Sequence, residues 1–288
     1  MTAPELDPTQ AVSAELNRRL FVGISAAATV TGPAIALGAQ GSAADSNAPS
    51  VAEDDPAISV EHVKLKSDGV EVPAYAAWPV GAVRGTPSVV VIMHVWGVDT
   101  SIREAVRRLA KDGCAAIAPD LYARSDAPSG DGATDSSIFR PYAQRLERSQ
   151  VGADVTAATL WLGGRFPATK VGIIGFCMGG RIVLNEIVDD GARFAAAAAF
   201  YGSVEGTDPN AIHVPLCGSY GARDTGIPAE SVRAFAAALK VPNDFRIYDN
   251  AGHAFCDNHR ASYVASAAED AWTRTIAFLR KYLGAGAA

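Results

Sequence analysis

One stretch, Lys170-Val171-Gly172-Ile173-Ile174-Gly175-Phe176-Cys177-Met178-Gly179-Gly180, constrains this chain more than any other. A β-branched apolar run stops at Gly175, a side chain capable of nucleophilic attack follows, and two glycines open a helical pattern. That order predicts a buried strand, a sharp turn presenting Cys177, and a helix. Glycine on both sides suits a turn whose nucleophile sits in strained backbone, because neighbouring side chains would clash there. Taken alone the pattern is weak, since a buried cysteine beside glycines commonly serves as a small apolar residue.

The flanking chain supplies a context. Ile58–Lys66 and Gly69–Trp78 are alternating runs joined through Ser67-Asp68-Gly69, which predicts an edge hairpin that tolerates Pro73. Continuous apolar runs at 88–93 and 114–118 read as strands buried on both faces. Between them Ile102, Val106, Leu109 and Ala110 recur at helical spacing, with Thr100 or Ser101 as cap and Gly113 as stop. A polar loop spans 125–137, and a helical pattern then runs towards Trp161, closed by Gly163-Gly164. Further strands are predicted at 194–201, 214–220 and 244–248, and helices at 228–239 and 263–283. Strands alternating with helices after a hairpin define an α/β class, a mostly parallel sheet with helices on both faces. Sites in such sheets gather at the carboxyl ends of strands.

With 288 residues and 49% hydrophobic content, residues 58–288 suffice for a single domain. The net charge of −6 and the lack of a basic cluster in the body argue against nucleic acid. Cys114, Cys177, Cys217 and Cys256 are too few and too scattered for a disulfide framework, and the five histidines show no ligand spacing, so neither metal nor cofactor is expected. The start differs. Arg18-Arg19 precede an uncharged, alanine-rich stretch from Gly23 to about Ala39, with small residues suited to cleavage after Ala36 or Ala44. Residues 1–44 are therefore expected to be a twin-arginine signal and 45–57 a linker. The expected destination is the periplasm, with membrane contact only during export; without the signal the chain would stay cytoplasmic.

A thiol attacks as thiolate, which a free cysteine with a pKa of about 8.5 seldom is at neutral pH. An imidazole can take its proton, and a carboxylate can hold that imidazole in the useful tautomer. Downstream of Cys177, Asp224 and then His253 fall on loops after strands, whereas His213 precedes a strand and His259 lies in a polar turn. Asp224 also has the bland reading of a turn residue or helix cap. Tetrahedral intermediates need N–H donors: Met178, opening the elbow helix, is one, and Val95, in the loop after the 88–93 strand, is chosen as the other. Trp96 and Tyr122 sit just beyond strand ends and are candidate pocket residues, with core packing the alternative for Tyr122.

Together with Ala118-Pro119-Asp120-Leu121-Tyr122, Arg223-Asp224, Ala251-Gly252-His253-Ala254-Phe255 and Tyr263-Val264-Ala265-Ser266-Ala267-Ala268, the elbow resembles the dienelactone hydrolase family over about 70–283. The resemblance implies an α/β-hydrolase fold and cofactor-free hydrolysis of a small ester or lactone through an acyl-thioester. Cys177 would be nucleophile, His253 base and Asp224 its orienter. Two departures stand out. Where family members carry a glutamate that manages the resting thiol, this chain has His94, either a contact to thiol or substrate or a pocket-lining residue. Where dienelactone-acting members place an arginine after the histidine, Cys256-Asp257 follow, so a neutral substrate is expected; Arg140 or Arg145 could supply the other arginine. Two further readings keep the fold: a ligand-binding protein with an idle thiol, or a redox protein pairing Cys177 with Cys256. A monomer is expected, with a dimer as the alternative.

Overall fold

The computed structural model describes residues 51–167 and 171–284; the expected signal and the first six residues of the expected linker lie outside them. Eight strands form one sheet in the order β1-β2-β4-β3-β5-β6-β7-β8. The hairpin β1 (Ile58–Ser67) and β2 (Val70–Pro79) pairs antiparallel, and β2 joins β4 (Ala115–Pro119) antiparallel. The remaining pairings, through β3 (Ser88–Ile92), β5 (Val171–Phe176), β6 (Phe194–Phe200), β7 (Leu216–Gly221) and β8 (Asn243–Tyr248), are parallel. Every residue of β3, β4, β5 and β7 is buried, as their uninterrupted apolar or small-residue runs require of strands covered on both faces.

Among the described residues six α-helices accompany the sheet: α1 (Thr100–Lys111), α2 (Arg140–Ala143), α3 (Arg148–Arg165), α4 (Met178–Asp190), α5 (Ala229–Ala238) and α6 (Ala265–Leu283). Some ends differ from the sequence expectation. The cap of α1 is Asp99, whose carboxylate accepts from Ile102 N, rather than Thr100 or Ser101. The helical pattern expected to run on to Trp161 is broken: α2 stops at Ala143 and α3 starts at Arg148. Gly163-Gly164 does not close α3, which continues to Arg165, because neither glycine is needed in a left-handed turn. The strand expected from Val214 begins at Leu216, since Pro215 has no N–H to donate.

The elbow is fixed by close backbone approach. Cys177 has φ 55 and ψ −115, and its N–H donates to Phe200 O at 3.0 Å. A Cβ at Gly175 would lie 2.3 Å from Gly179 O, one at Gly179 2.4 Å from Ile92 O, and one at Gly180 2.9 Å from both Gly202 Cα and Phe200 O. Strain of this kind costs about 1–3 kcal/mol. Ile173 and Ile174 are fully buried, and each such side chain contributes about 1.5–3 kcal/mol. The strand can therefore hold the turn.

Substituting Gly179→Ala forces a methyl against the Ile92 and Met93 carbonyls, and overpacking of this kind costs ~3 kcal/mol. Gly163→Ala meets open space within a helix, where alanine gains ~1 kcal/mol. Denaturant midpoints moving in opposite directions for the two variants are the expected result.

Candidate active site

Three strand ends deliver three side chains to one place. Cys177 sits on the β5–α4 turn, Asp224 just beyond β7, and His253 beyond β8. Asp224 Oδ2 accepts from His253 Nδ1 at 2.7 Å, and His253 Nε2 faces Cys177 Sγ at 3.0 Å. An ionised aspartate only accepts, so Nδ1 carries its hydrogen and Nε2 is directed at the thiol. Asp224 Oδ1 meanwhile accepts from Gly226 N at 2.9 Å and Ile227 N at 3.2 Å. The turn reading and the orienting reading are thus both realised, one on each oxygen.

The Asp224 side chain is 3% exposed and that of His253 41%. Burial, the largest single influence on His253, disfavours its charged form. Hydrogen bonds to Asp224 and Cys177, with the negative charge of both, outweigh it and raise the ring to about 10. Tyr201 packs 5.3 Å from the His253 ring and 5.5 Å from Phe255, and both Tyr201 and Ala254 have positive φ. Such strain at two positions beside one histidine marks a constrained loop pair. Sequence reasoning missed Tyr201, although its place at the carboxyl end of β6 was a usable signal.

Met178 opens α4, where its N–H has no acceptor within the helix. Val95 N donates to no backbone carbonyl among the described residues. The Tyr122 hydroxyl donates to Val95 O at 2.8 Å and lies 3.9 Å from Met178 Sδ, so one buried phenol touches both residues. Burial, first, and nearby negative charge push that phenol well above its ordinary range. Tyr122 therefore holds the loop that carries Val95 and packs into the core. Tyr142 lies 6.2 Å from the Tyr122 ring and carries Arg145 above its own ring at 6.0 Å.

His94 lies beside Trp96 and lines a small cavity, as the pocket-lining reading expects, and it makes no hydrogen bond to the thiol. Its Nε2 hydrogen-bonds Asp99 Oδ1 at 2.8 Å and its Nδ1 lies 3.9 Å from Asp257 Oδ2. Asp257 is not free to repel a substrate: it accepts from Ser101 Oγ at 2.7 Å and Arg260 Nε at 3.2 Å. The grounds for a neutral substrate in that aspartate accordingly fall away. Cys256 and Cys177 are both free thiols. Burial pushes Cys256 well above the ordinary thiol range, which leaves it protonated and unreactive. Cys256 lines a cavity of about 30 Å³ with Arg108, Glu104, Tyr201 and Trp272, room for a water or two, and Cys177 is not part of it.

His94→Glu would set a third carboxylate among Asp99 and Asp257, with Arg260 the nearby cation. The expected loss is ~3 kcal/mol of stability at neutral pH, read from denaturant unfolding; an unchanged midpoint would contradict the assigned surroundings of residue 94.

The sequence pattern of the Dienelactone hydrolase family matches residues 72–283. A protein of Escherichia coli named "Putative carboxymethylenebutenolidase" is 35% identical over 250 residues, covering 80% of this chain and 90% of its own. One of the same name from Methylorubrum extorquens is 33% identical and spans 98% of this chain and 99% of its own. Among solved structures, a dienelactone hydrolase so named, also as "putative", from Klebsiella pneumoniae superposes with a TM-score of 0.73 at 32% identity, over 78% of this chain and all of that one. The chain has the α/β-hydrolase fold and belongs to the dienelactone hydrolase family, a family of ester and lactone hydrolases.

Proposed function

We infer that this hydrolase cleaves a small ester or lactone through an acyl-thioester on Cys177, with His253 as base and acid and Asp224 as its orienter. The observation that carries this reading is the unbroken run Asp224 Oδ2–His253 Nδ1 at 2.7 Å and His253 Nε2–Cys177 Sγ at 3.0 Å. Transfer of the thiol proton to Nε2 gives a thiolate beside an imidazolium. Sγ attacks the carbonyl carbon, and the carbonyl π pair moves onto oxygen, where the Met178 and Val95 N–H groups receive the charge. Collapse expels the alkoxide, which takes the proton from Nε2; in a lactone it stays tethered to the acyl group. His253 then withdraws a proton from water, the hydroxide attacks the thioester, and departure of Sγ releases the carboxylic acid. Every step uses protein groups and water.

Export belongs to the same proposal, supported by Arg18-Arg19 and the small-residue stretch behind them. Lysines in place of both arginines should keep the chain inside the cell; unchanged export would overturn that part.

A panel of short aryl esters and five-membered lactones tests the chemistry. Cys177→Ala is expected to abolish turnover, and retained activity would end the reading. Because Asp224 helps raise His253 to about 10, the imidazolium that protonates the leaving group is present below that pH and lost above it. Asp224→Asn should therefore draw the alkaline limb of kcat towards lower pH and lower kcat by roughly 10²–10⁴-fold.

A further inference from the structure

The loop carrying His253 and the loop carrying Val95 are joined by one largely buried cation. Arg260 Nη2 donates to Asp99 Oδ2 at 3.2 Å, its Nε donates to Asp257 Oδ2 at 3.2 Å, and its Nη1 donates to Ala133 O. The guanidinium face lies 3.8 Å from the centroid of Trp96. Asp99 in turn accepts from His94, whose ring packs edge-on against Trp96 at 5.0 Å between centroids. The side chains of Arg260, Asp99, Asp257 and His94 are 13%, 4%, 4% and 5% exposed. Solvent screening is weak at such sites, and a planar fork with five donors can serve three acceptors while laying its face on a ring, which an ammonium cannot.

The location gives this cluster its meaning. His94 and Trp96 are the two neighbours of Val95, and Arg260 reaches both, Trp96 by stacking and His94 through Asp99. The peptide on the other side of Trp96 is wedged as well, since a Cβ on Gly130 would stand 2.0 Å from Trp96 O. Tyr122 holds Val95 O from below. The Val95 N–H can point at a developing oxyanion only if residues 94–97 keep this conformation. A misplacement of about 1 Å at such a donor costs on the order of 10²-fold in rate.

We propose that Arg260 is a positioning residue for the oxyanion hole: through Asp99, His94 and Trp96 it sets the direction of the Val95 N–H relative to the loop that carries His253. This rests on the hydrolase reading above. It assigns Arg260 no contact with substrate. Its effect falls on stabilisation of the tetrahedral intermediate, not on activation of the thiol, because Cys177, His253 and Asp224 are hydrogen-bonded to one another without it.

The test compares wild type with Arg260→Gln and Arg260→Lys in the full chain. Lysine preserves the charge and the fold but loses the fork and the stacking. Three quantities are measured: kcat and KM for a short aryl ester, the rate of Cys177 alkylation by iodoacetamide, and hydrogen exchange of the peptide spanning 94–99. Alkylation needs a reactive thiol but no oxyanion hole. Both variants should lose roughly 10–100-fold in kcat with KM within about threefold, glutamine more than lysine. Alkylation should stay within about threefold and exchange at 94–99 should rise. Unchanged kcat and exchange would overturn the proposal, as would alkylation falling in step with kcat. A wild-type enzyme that turns over no ester, with exchange at 94–99 still rising in both variants, would instead defeat the hydrolase reading and leave the linkage between the loops standing.

Discussion

The architecture depends on backbone meeting backbone beneath Cys177. Strand β5 lies between β3 and β6, and the helix after it starts so close to both that only hydrogen atoms fit at Gly175, Gly179 and Gly180. Removing those three side chains lets α4 seat its first turn on the carbonyls of Ile92 and Met93 and on the main chain of Phe200 and Gly202. Cys177 inherits its position from contacts that hardly deform. A packed core resists displacement because its atoms have no free volume to move into.

The other two members of the set are held by different physics. His253 lies on a loop and is partly exposed, so packing alone does not fix its ring; the Asp224 carboxylate does, while also closing its own turn. The loop that carries Val95 is held by polar and stacking contacts to Tyr122, Arg260 and Asp99. The candidate site thus divides into Cys177, set by steric exclusion, and the His253–Asp224 pair with the Val95 loop, set by hydrogen bonds. Both halves converge because β3, β5, β7 and β8 end on the same edge of the sheet.

How much of this could be read from residues alone follows the same division. Alternating and continuous apolar runs are local, and they yielded the strands, the hairpin and the order of elements. The elbow glycines, Asp224 and His253 announce themselves because each sits in a short segment whose turn chemistry is local too. The breaks around α2 and the run of α3 through Gly163-Gly164 did not, since exposed helical glycine is a modest penalty that tertiary packing overrides. The partners of His94 were beyond reach for another reason. They come from residues 99, 257 and 260, and no periodicity or spacing couples positions 161 residues apart in sequence. The same holds for Asp257, whose charge reads as substrate-repelling until Arg260 and Ser101 are seen to absorb it.

Asp99 and Arg260 also bear on how such a chain can change. Each is partnered at its depth in part by the other, so the segment after β3 and the segment after β8 share a single charge balance. A loop transplanted from a relative at either place would arrive with half a partnership. The two segments must be exchanged together, or not at all, which makes a pair of sequence-distant loops the natural unit in which this site diversifies.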